Sequence, residues 1–158
     1  MKLMYEDDKL VLYLNKMYIH SLDFSDKEMV QKYMKRLFLK VSNRYDIEFD
    51  GYYVVKLYVD MNYGVIIEVV KEELEYLDYF SNQIEMNTEV IHGSFLYEPF
   101  DVSEQNLDCF VLYKFNDKLY MGVKSQISDM QMGNLLEHSR IIYGIEADNI
   151  IKKGKIVR

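Results

Sequence analysis

The sequence predicts an α+β fold: a β-α-β-β two-layer unit followed by a second β-rich half with short helices, the sheet being mainly antiparallel. Two observations lead to this fold class. An amphipathic helical pattern after Ser25 follows a run of alternating residues at 9–14. Two runs rich in β-branched and aromatic residues, 52–59 and 65–70, then follow the helix around a glycine-containing turn. Three strands and one such helix can bury their apolar sides in two layers.

The helix has a clear predicted start and one apolar side. Ser25 and Glu28 have the spacing of a capping box, in which each side chain accepts a hydrogen bond from the backbone of the other. Asn43 is expected to end the helix. The apolar stripe consists of Val30, Tyr33, Met34, Leu37, Phe38 and Val41. The opposite side is basic and carries Lys32, Lys35, Arg36 and Lys40.

The two strands after the helix are expected to form a hairpin with one defined register. Only one alignment across the loop at 60–64 places apolar residues opposite each other on one face and opposite charges on the other. In that alignment the facing pairs are Val59 with Val65, Leu57 with Ile67, Val55 with Val69, and Lys56 with Glu68.

The second half is expected to contain shorter elements. These are a helix over 71–86, a strand over 90–97, a hairpin of strands 109–115 and 119–124, a helix to about 138 and a strand over 141–145. Ser128 and Gln131 repeat the capping-box spacing at the start of the last helix. The buried face of the hairpin is expected to consist of Val111, Tyr113, Phe115, Leu119, Met121 and Val123.

Domain organisation and cellular location follow from composition. The chain of 158 residues suits one domain or two small lobes, with the β-α-β-β unit at 1–70 and an acidic β-rich half at 71–158. Cys109 is the only cysteine, so no intramolecular disulfide supports an oxidising compartment. No apolar run approaches the roughly 20 residues of a membrane span. We therefore expect a cytoplasmic protein that does not bind membranes; the sequence leaves homo-oligomerisation open.

The distribution of charge is the least ordinary feature of the sequence. Between residues 72 and 113 there are ten acidic residues and no lysine or arginine, whereas the rest of the chain has 16 acidic and 19 basic residues. The formal net charge of −7 is thus concentrated in one block. One reading is a solvated face that keeps the protein in solution. Another is a negative surface that attracts a basic protein partner.

Two other readings of the acidic block remain open. Glu72, Glu73, Glu75 and Asp78 have ligand atoms for a divalent metal, but the spacing and glycine of a calcium loop are absent, so we expect neither metal nor cofactor. The basic side of the first helix is also a candidate partner for the block within the same chain.

Catalytic signatures are sparse. All seven glycines are isolated, so no phosphate-binding loop is present, and the sequence has neither a zinc-binding motif nor a nucleophile elbow. The sequence favours a non-enzymatic protein. The alternative is a small enzyme in which His92 and carboxylates of the acidic block form a site between the two halves. Nucleic-acid binding is disfavoured because the net negative charge repels phosphate.

Part of the chain resembles a known family. The stretches "DIEFDGYYVVKLYVDMNYGVIIEVVKEE" and, more faintly, "LEHSRIIYGIEADNII" resemble the MecA-type adaptor proteins of Gram-positive bacteria. The resemblance covers about half of the chain, mainly the first half, and the longer middle region of that family is absent. It implies a non-enzymatic adaptor that delivers substrates to a Clp-type ATPase. No functional residue is carried over from it.

These observations together predict an interaction or adaptor protein that presents an acidic, tyrosine-rich surface to a basic protein partner. An inhibitor or immunity protein whose acids mask a basic nuclease site is an alternative, and a toxin gene next to this one would favour it. The residues expected to contact the partner are Glu72, Glu73, Glu75, Tyr76, Asp78, Tyr79, Phe80 and Tyr97.

Overall fold

The structure, a computed structural model, has the predicted α+β fold. It describes residues 2–6, 9–49, 51–61, 63–72, 84–101, 107–124 and 127–157. The chain divides into two compact units, Met1–His92 and Gly93–Arg158, and each contains one five-stranded sheet. The division falls at His92 and not near residue 70, because the strand before it pairs within the first sheet.

The sheet of the first unit has the strand order β1-β2-β4-β3-β5. Its strands are β1 (Lys2–Glu6), β2 (Lys9–Asn15), β3 (Gly51–Asp60), β4 (Gly64–Glu72) and β5 (Ile84–His92). Neighbours are antiparallel except β3 and β5, which are parallel. The pairing of β3 with β4 confirms the predicted register in all four facing pairs. The apolar pairs on one face and the opposite charges on the other were therefore enough to predict the register of this hairpin.

Helices α1 (Lys16–Ile19) and α2 (Lys27–Tyr45) connect β2 to β3. The apolar stripe of α2 packs on the sheet through Val30, Met34, Leu37, Phe38 and Val41, all of which are buried. Each such side chain contributes about 1.5–3 kcal/mol when it is removed from water. The facing residues of β3 are Tyr53, Val55, Leu57 and Val59, which place one face of the sheet under α2.

The predicted ends of α2 need correction. Asp26 and not Ser25 caps the helix, by accepting a hydrogen bond from the Met29 amide at 3.2 Å. The Ser25 hydroxyl instead donates to Asp23, so the capping box with Glu28 does not form. Both residues are good cap residues, and the sequence alone does not decide between neighbours. The helix passes Asn43 and ends at Tyr45, before Asp46 with a positive φ of 54°.

The second unit has the strand order β10-β7-β8-β6-β9. Its strands are β6 (Leu96–Pro99), β7 (Phe110–Phe115), β8 (Lys118–Val123), β9 (Ser139–Ile142) and β10 (Lys155–Ile156). Helix α3 spans Asp129–His138 and helix α4 spans Gly144–Lys153. The capping box of Ser128 and Gln131 is confirmed, since both of its hydrogen bonds form at the start of α3. Ala147 and Ile150 of α4 pack with Leu96, Tyr120 and Ile142 in a small core.

The predicted buried face of the β7–β8 hairpin is wrong because the turn is one residue shorter than expected. The turn consists of Asn116 and Asp117, which both have a positive φ, as in the tight turns that suit the twist of a hairpin. Tyr113 therefore pairs with Tyr120. Met121, which was expected on the same face as Tyr113, pairs with Leu112 on the other face of the hairpin. The buried residues of this hairpin are Phe110, Leu112, Tyr120 and Met121.

The helix predicted over 71–86 falls largely outside the described residues. At its two described ends the prediction is wrong, because residues 71–72 belong to β4 and residues 84–86 to β5.

Gly64 is required where β4 begins. Its φ of +144° is rarely adopted by other residues, and a Cβ atom there would collide with the carbonyl oxygen of Leu14 on β2. We predict that Gly64→Ala lowers the free energy of unfolding by at least about 2 kcal/mol. Gly133 in α3 is the control, since its Cβ would meet no atom within 4 Å and Gly133→Ala should stabilise by about 1 kcal/mol. Urea unfolding followed by circular dichroism measures both; equal midpoints would contradict the prediction.

The Tyr13 hydroxyl donates to the Tyr63 carbonyl oxygen at 3.0 Å on the face of the sheet opposite α2. Burial of the Tyr13 side chain, and then the negative charge of Asp60, raise the pKa of Tyr13 from 10.0 to about 12. Below pH 10 the phenol is neutral in both folded and unfolded states. Above it the unfolded state loses the proton first, so stability falls between pH 10 and 12.

We predict that Tyr13 accounts for about 1.4 kcal/mol of stability lost at pH 11 relative to pH 8. Tyr13→Phe should be less stable than the wild type at pH 8 by about 1 kcal/mol, because it lacks the hydrogen bond. Its stability should also fall less between pH 8 and pH 11. Urea unfolding of both proteins at the two pH values measures this difference, and an equal fall in both would exclude Tyr13 as the titrating group.

Candidate functional site

The predicted contact residues divide into three groups in the structure. Glu73, Glu75, Tyr76, Asp78, Tyr79 and Phe80 lie outside the described residues. Glu72 is exposed at the end of β4, as a contact residue should be. Tyr97 is fully buried in the second unit, so the expectation that it is presented to a partner is corrected.

The acidic block does not form one surface of one unit. Its residues up to Glu89 belong to the first unit, and those from Glu98 belong to the second. Glu98 is engaged in ion pairs: its Oε2 accepts from Nη2 of Arg140 at 2.8 Å, and its Oε1 lies 3.5 Å from Nζ of Lys118. A count of charges along the chain cannot detect such pairing. Glu98 therefore holds β6, β8 and β9 together and is not available as a free anion.

One face of the first sheet carries acids and tyrosines. Residues that face each other on neighbouring strands share a face, so Tyr52 lies beside Glu72, and Lys56 lies between Glu68 and Glu89. This is the face opposite α2. We call it the sheet face and define it by Tyr52, Lys56, Tyr58, Glu68, Glu72 and Glu89. Glu72 and Glu89 are exposed, whereas Tyr52, Lys56 and Tyr58 are half-buried.

The electrostatics of the sheet face vary along the strands. Glu68 is largely covered, and its Oε1 lies 3.3 Å from Nζ of Lys9. Burial raises the pKa of Tyr58, and the negative charges of Glu68 and Glu89 raise it further. The tyrosine is therefore a neutral hydrogen-bonding group at physiological pH. Glu68 and exposed Glu89 flank Lys56 in the middle of the face, and exposed Glu72 lies at its end beside Tyr52.

The chain leaves and re-enters the sheet at that same end. β4 ends at Glu72 beside Tyr52, and β5 begins at Ile84 beside Gly51 on the other side of β3. Both ends of the segment 73–83 are thus fixed next to Tyr52. The sequence of this segment supplies Glu73, Glu75 and Asp78.

His92 is the histidine on which the enzyme alternative depends. It is exposed at the end of β5, and its ring meets Phe24 edge-on at 6.5 Å between centroids. No carboxylate among the described residues forms a hydrogen bond with His92. Within the same residues, no group of three His, Cys, Asp or Glu side chains is arranged to hold a metal ion.

A second surface of the first unit was not predicted. A groove of about 730 Å³ lies along α2 beside α1 and the residues that follow it. We call it the α2 groove. Its lining residues are Leu14, Tyr18, Ser21, Tyr33, Arg36, Leu37, Lys40, Asn43 and Arg44. The sequence indicated part of this groove, since Arg36 and Lys40 belong to the basic side predicted for the helix. The sequence could not show that α1, a helix of four residues, would contribute Tyr18 to the lining.

The α2 groove combines a basic rim with an apolar floor. Leu14 and Leu37 are buried at its base, while Arg36, Lys40 and Arg44 are exposed. Among the described residues no carboxylate pairs with any of these three cations. The Arg44 guanidinium lies over the Tyr45 ring, 5.6 Å from its centroid. The rim is therefore a row of positive charge next to apolar surface.

Tyrosines line the other parts of the α2 groove. The Tyr33 hydroxyl donates to the Tyr18 carbonyl oxygen at 3.1 Å, which ties α2 to α1. Burial raises the pKa of Tyr33 against the opposing effect of the Arg36 charge. The Tyr18 ring is 52% exposed, so it is free to contact a bound molecule. Asn15 fixes the position of Tyr18 because its side chain caps α1 at the Met17 amide.

Comparisons of the chain with protein-family models, with curated proteins and with solved structures gave no match. None of the helices in the described part of the chain has both the length and the apolar character needed to cross a membrane.

The ion pair of Glu98 and Arg140 yields a stability prediction. In a double-mutant cycle of Glu98→Gln and Arg140→Gln, we expect a coupling energy of about 0.5–1 kcal/mol, because the Arg140 side chain is 48% exposed and water screens the pair. Urea unfolding at low salt and in 1 M salt measures it, and the coupling should shrink in 1 M salt. Zero coupling at low salt would show that the pair does not stabilise the second unit.

Proposed function

We propose that this chain is a non-enzymatic, cytoplasmic interaction protein of the adaptor type, which binds a basic protein partner at the acidic end of its first sheet. One observation carries the proposal. Glu72 is exposed on the sheet face beside half-buried Tyr52, Glu89 is exposed on the same face beside Lys56, and the acidic segment 73–83 joins β4 to β5 at the Tyr52 end. The resemblance of the first half to MecA-type adaptors supports the same class.

The composition of this end of the sheet suits a protein interface. Tyrosine provides a large apolar surface with one hydrogen-bonding group, and Val70 beside it is 39% exposed. The exposed acids at the rim attract a basic surface over long distances and orient it before contact. Because rim charges act mainly on the association rate, binding by this surface should weaken as salt concentration rises.

The proposal differs from the sequence prediction in its residues. Tyr97 is removed, since it is buried. Tyr52 and Glu89 are added, because strand pairing brings them to the same face as Glu72. The inhibitor alternative uses this same surface and differs only in the identity of the basic partner.

Charge reversal tests the proposal. We expect a variant with Glu72, Glu73, Glu75 and Asp78 all changed to lysine to lose most of the basic partners that the wild type captures in a pulldown. The reason is that attraction becomes repulsion at the proposed contact surface. Quantitative mass spectrometry of the captured proteins, at low and at moderate salt, measures the loss.

Glu48→Lys is the matched control for charge reversal. Glu48 is an exposed acid of the same unit, and it lies between α2 and β3, outside the acidic block. The control should retain the partners of the wild type. If the four-residue variant and the wild type capture the same partners in the same amounts, the acidic surface does not bind them and the proposal is wrong.

A further inference from the structure

We propose that the α2 groove is a docking site for an acidic peptide segment of a partner protein, whose carboxylates lie against Arg36, Lys40 and Arg44. This inference goes beyond the proposed function. It concerns another surface of the first unit and a partner of the opposite charge, so either proposal can fail without the other.

Two of the three cations, Arg36 and Lys40, are not accounted for by the stability of α2. Side chains three or four positions away are neighbours on a helix, and no acid occupies such a position for Arg36 or Lys40. Their own spacing of four instead places like charges side by side, at a cost of about 0.2–0.5 kcal/mol for each pair. The helix dipole favours cations only in the last turn, which contains Arg44 but not Arg36. A stabilising role therefore does not explain Arg36 and Lys40, whereas the helix dipole favours Arg44.

The geometry of the row matches an extended acidic peptide. Residues four positions apart are about 6 Å apart along a helix axis, so the row from Arg36 to Arg44 spans about 12 Å. Alternate side chains of an extended peptide point the same way at intervals of about 6.6 Å. Three carboxylates at alternate positions therefore lie opposite the three cations.

The floor and walls of the groove fit the rest of such a peptide. Leu14 and Leu37 form an apolar base that can take one aliphatic or aromatic side chain of the partner. The exposed Tyr18 ring provides a second apolar contact, and Ser21 and Asn43 provide hydrogen-bonding groups for a peptide backbone. A charged rim around an apolar centre is the usual arrangement of a protein interface.

Charge also favours a peptide over nucleic acid. The affinity of nucleic-acid binding proteins comes largely from neutralising many phosphates, and the groove offers only three cations. The whole chain carries a net charge of −7, which repels a long polyanion but affects a short acidic peptide much less.

The test uses a fluorescent peptide of about nine residues with glutamate at alternate positions and one leucine and one phenylalanine between them. Its binding to the full chain is followed by fluorescence anisotropy at low salt. We expect Lys40→Gln to weaken binding about threefold, and the triple change of Arg36, Lys40 and Arg44 to glutamine to weaken it at least about tenfold. Binding should also weaken as salt concentration rises.

Lys35→Gln is the matched control. Lys35 is an exposed lysine of the same helix that does not line the groove, so its replacement removes the same charge and should leave binding within about twofold of the wild type. Thermal unfolding of all variants separates binding from folding. Because Lys40→Gln relieves repulsion along the row, its melting temperature should equal or exceed that of the wild type.

Several outcomes would overturn the inference. Equal binding of a peptide with glutamine in place of glutamate would show that charge does not select the ligand. Tighter binding of a single-stranded oligonucleotide, lost in the triple variant, would assign the groove to nucleic acid. Self-association of the wild type that the triple variant lacks would identify a second copy of the chain as the occupant. An unchanged affinity in the triple variant would place the peptide elsewhere.

Discussion

The packing of α2 on the first sheet is the contact on which the first unit depends. Five buried side chains of the helix cover the face formed by alternate residues of β2, β3 and β4. Phe38 extends this contact by stacking on Phe49 at 4.6 Å, with Tyr53 edge-on to both rings. The outer side of α2 lines one candidate site, and the exposed acids Glu72 and Glu89 of the opposite sheet face belong to the other. The middle of that opposite face is not free, since Val11, Tyr13 and Ile66 are buried.

Much of the fold could be predicted because local rules agree with tertiary packing. The β3–β4 register was readable since both faces of the hairpin carry selective pairs, such as Lys56 with Glu68. The β7–β8 hairpin was harder because its interface is apolar on both sides, with Tyr113 and Phe115 packed beneath α4. When both faces are apolar, alternation does not identify the buried one, and turn length alone sets the register. The parallel pairing of β5 leaves no comparable local signal, because its partner is distant in sequence.

The candidate sites could be predicted only where charge is local in sequence. The basic side of α2 was visible, but the α2 groove requires the Tyr33 hydroxyl to meet the Tyr18 carbonyl oxygen across 15 positions. The acidic block was visible as well, yet its members separate between two units, and Glu98 is neutralised by Arg140, 42 positions away. The charge composition of a segment thus indicates that a charged surface exists. Ion pairs with residues distant in the sequence decide which of those charges remain available to a partner.

The central position of β3 has a consequence for the order of folding. β3 pairs with β4 across a short turn, but it pairs with β5 only after the chain has passed from one side of β3 to the other between Glu72 and Ile84. Closing the short loop costs less chain entropy than closing the longer one. We therefore expect the hairpin to form first and to serve as the template for β5. Until β5 pairs, one edge of β3 would be open, and an open edge is where newly made chains can pair wrongly.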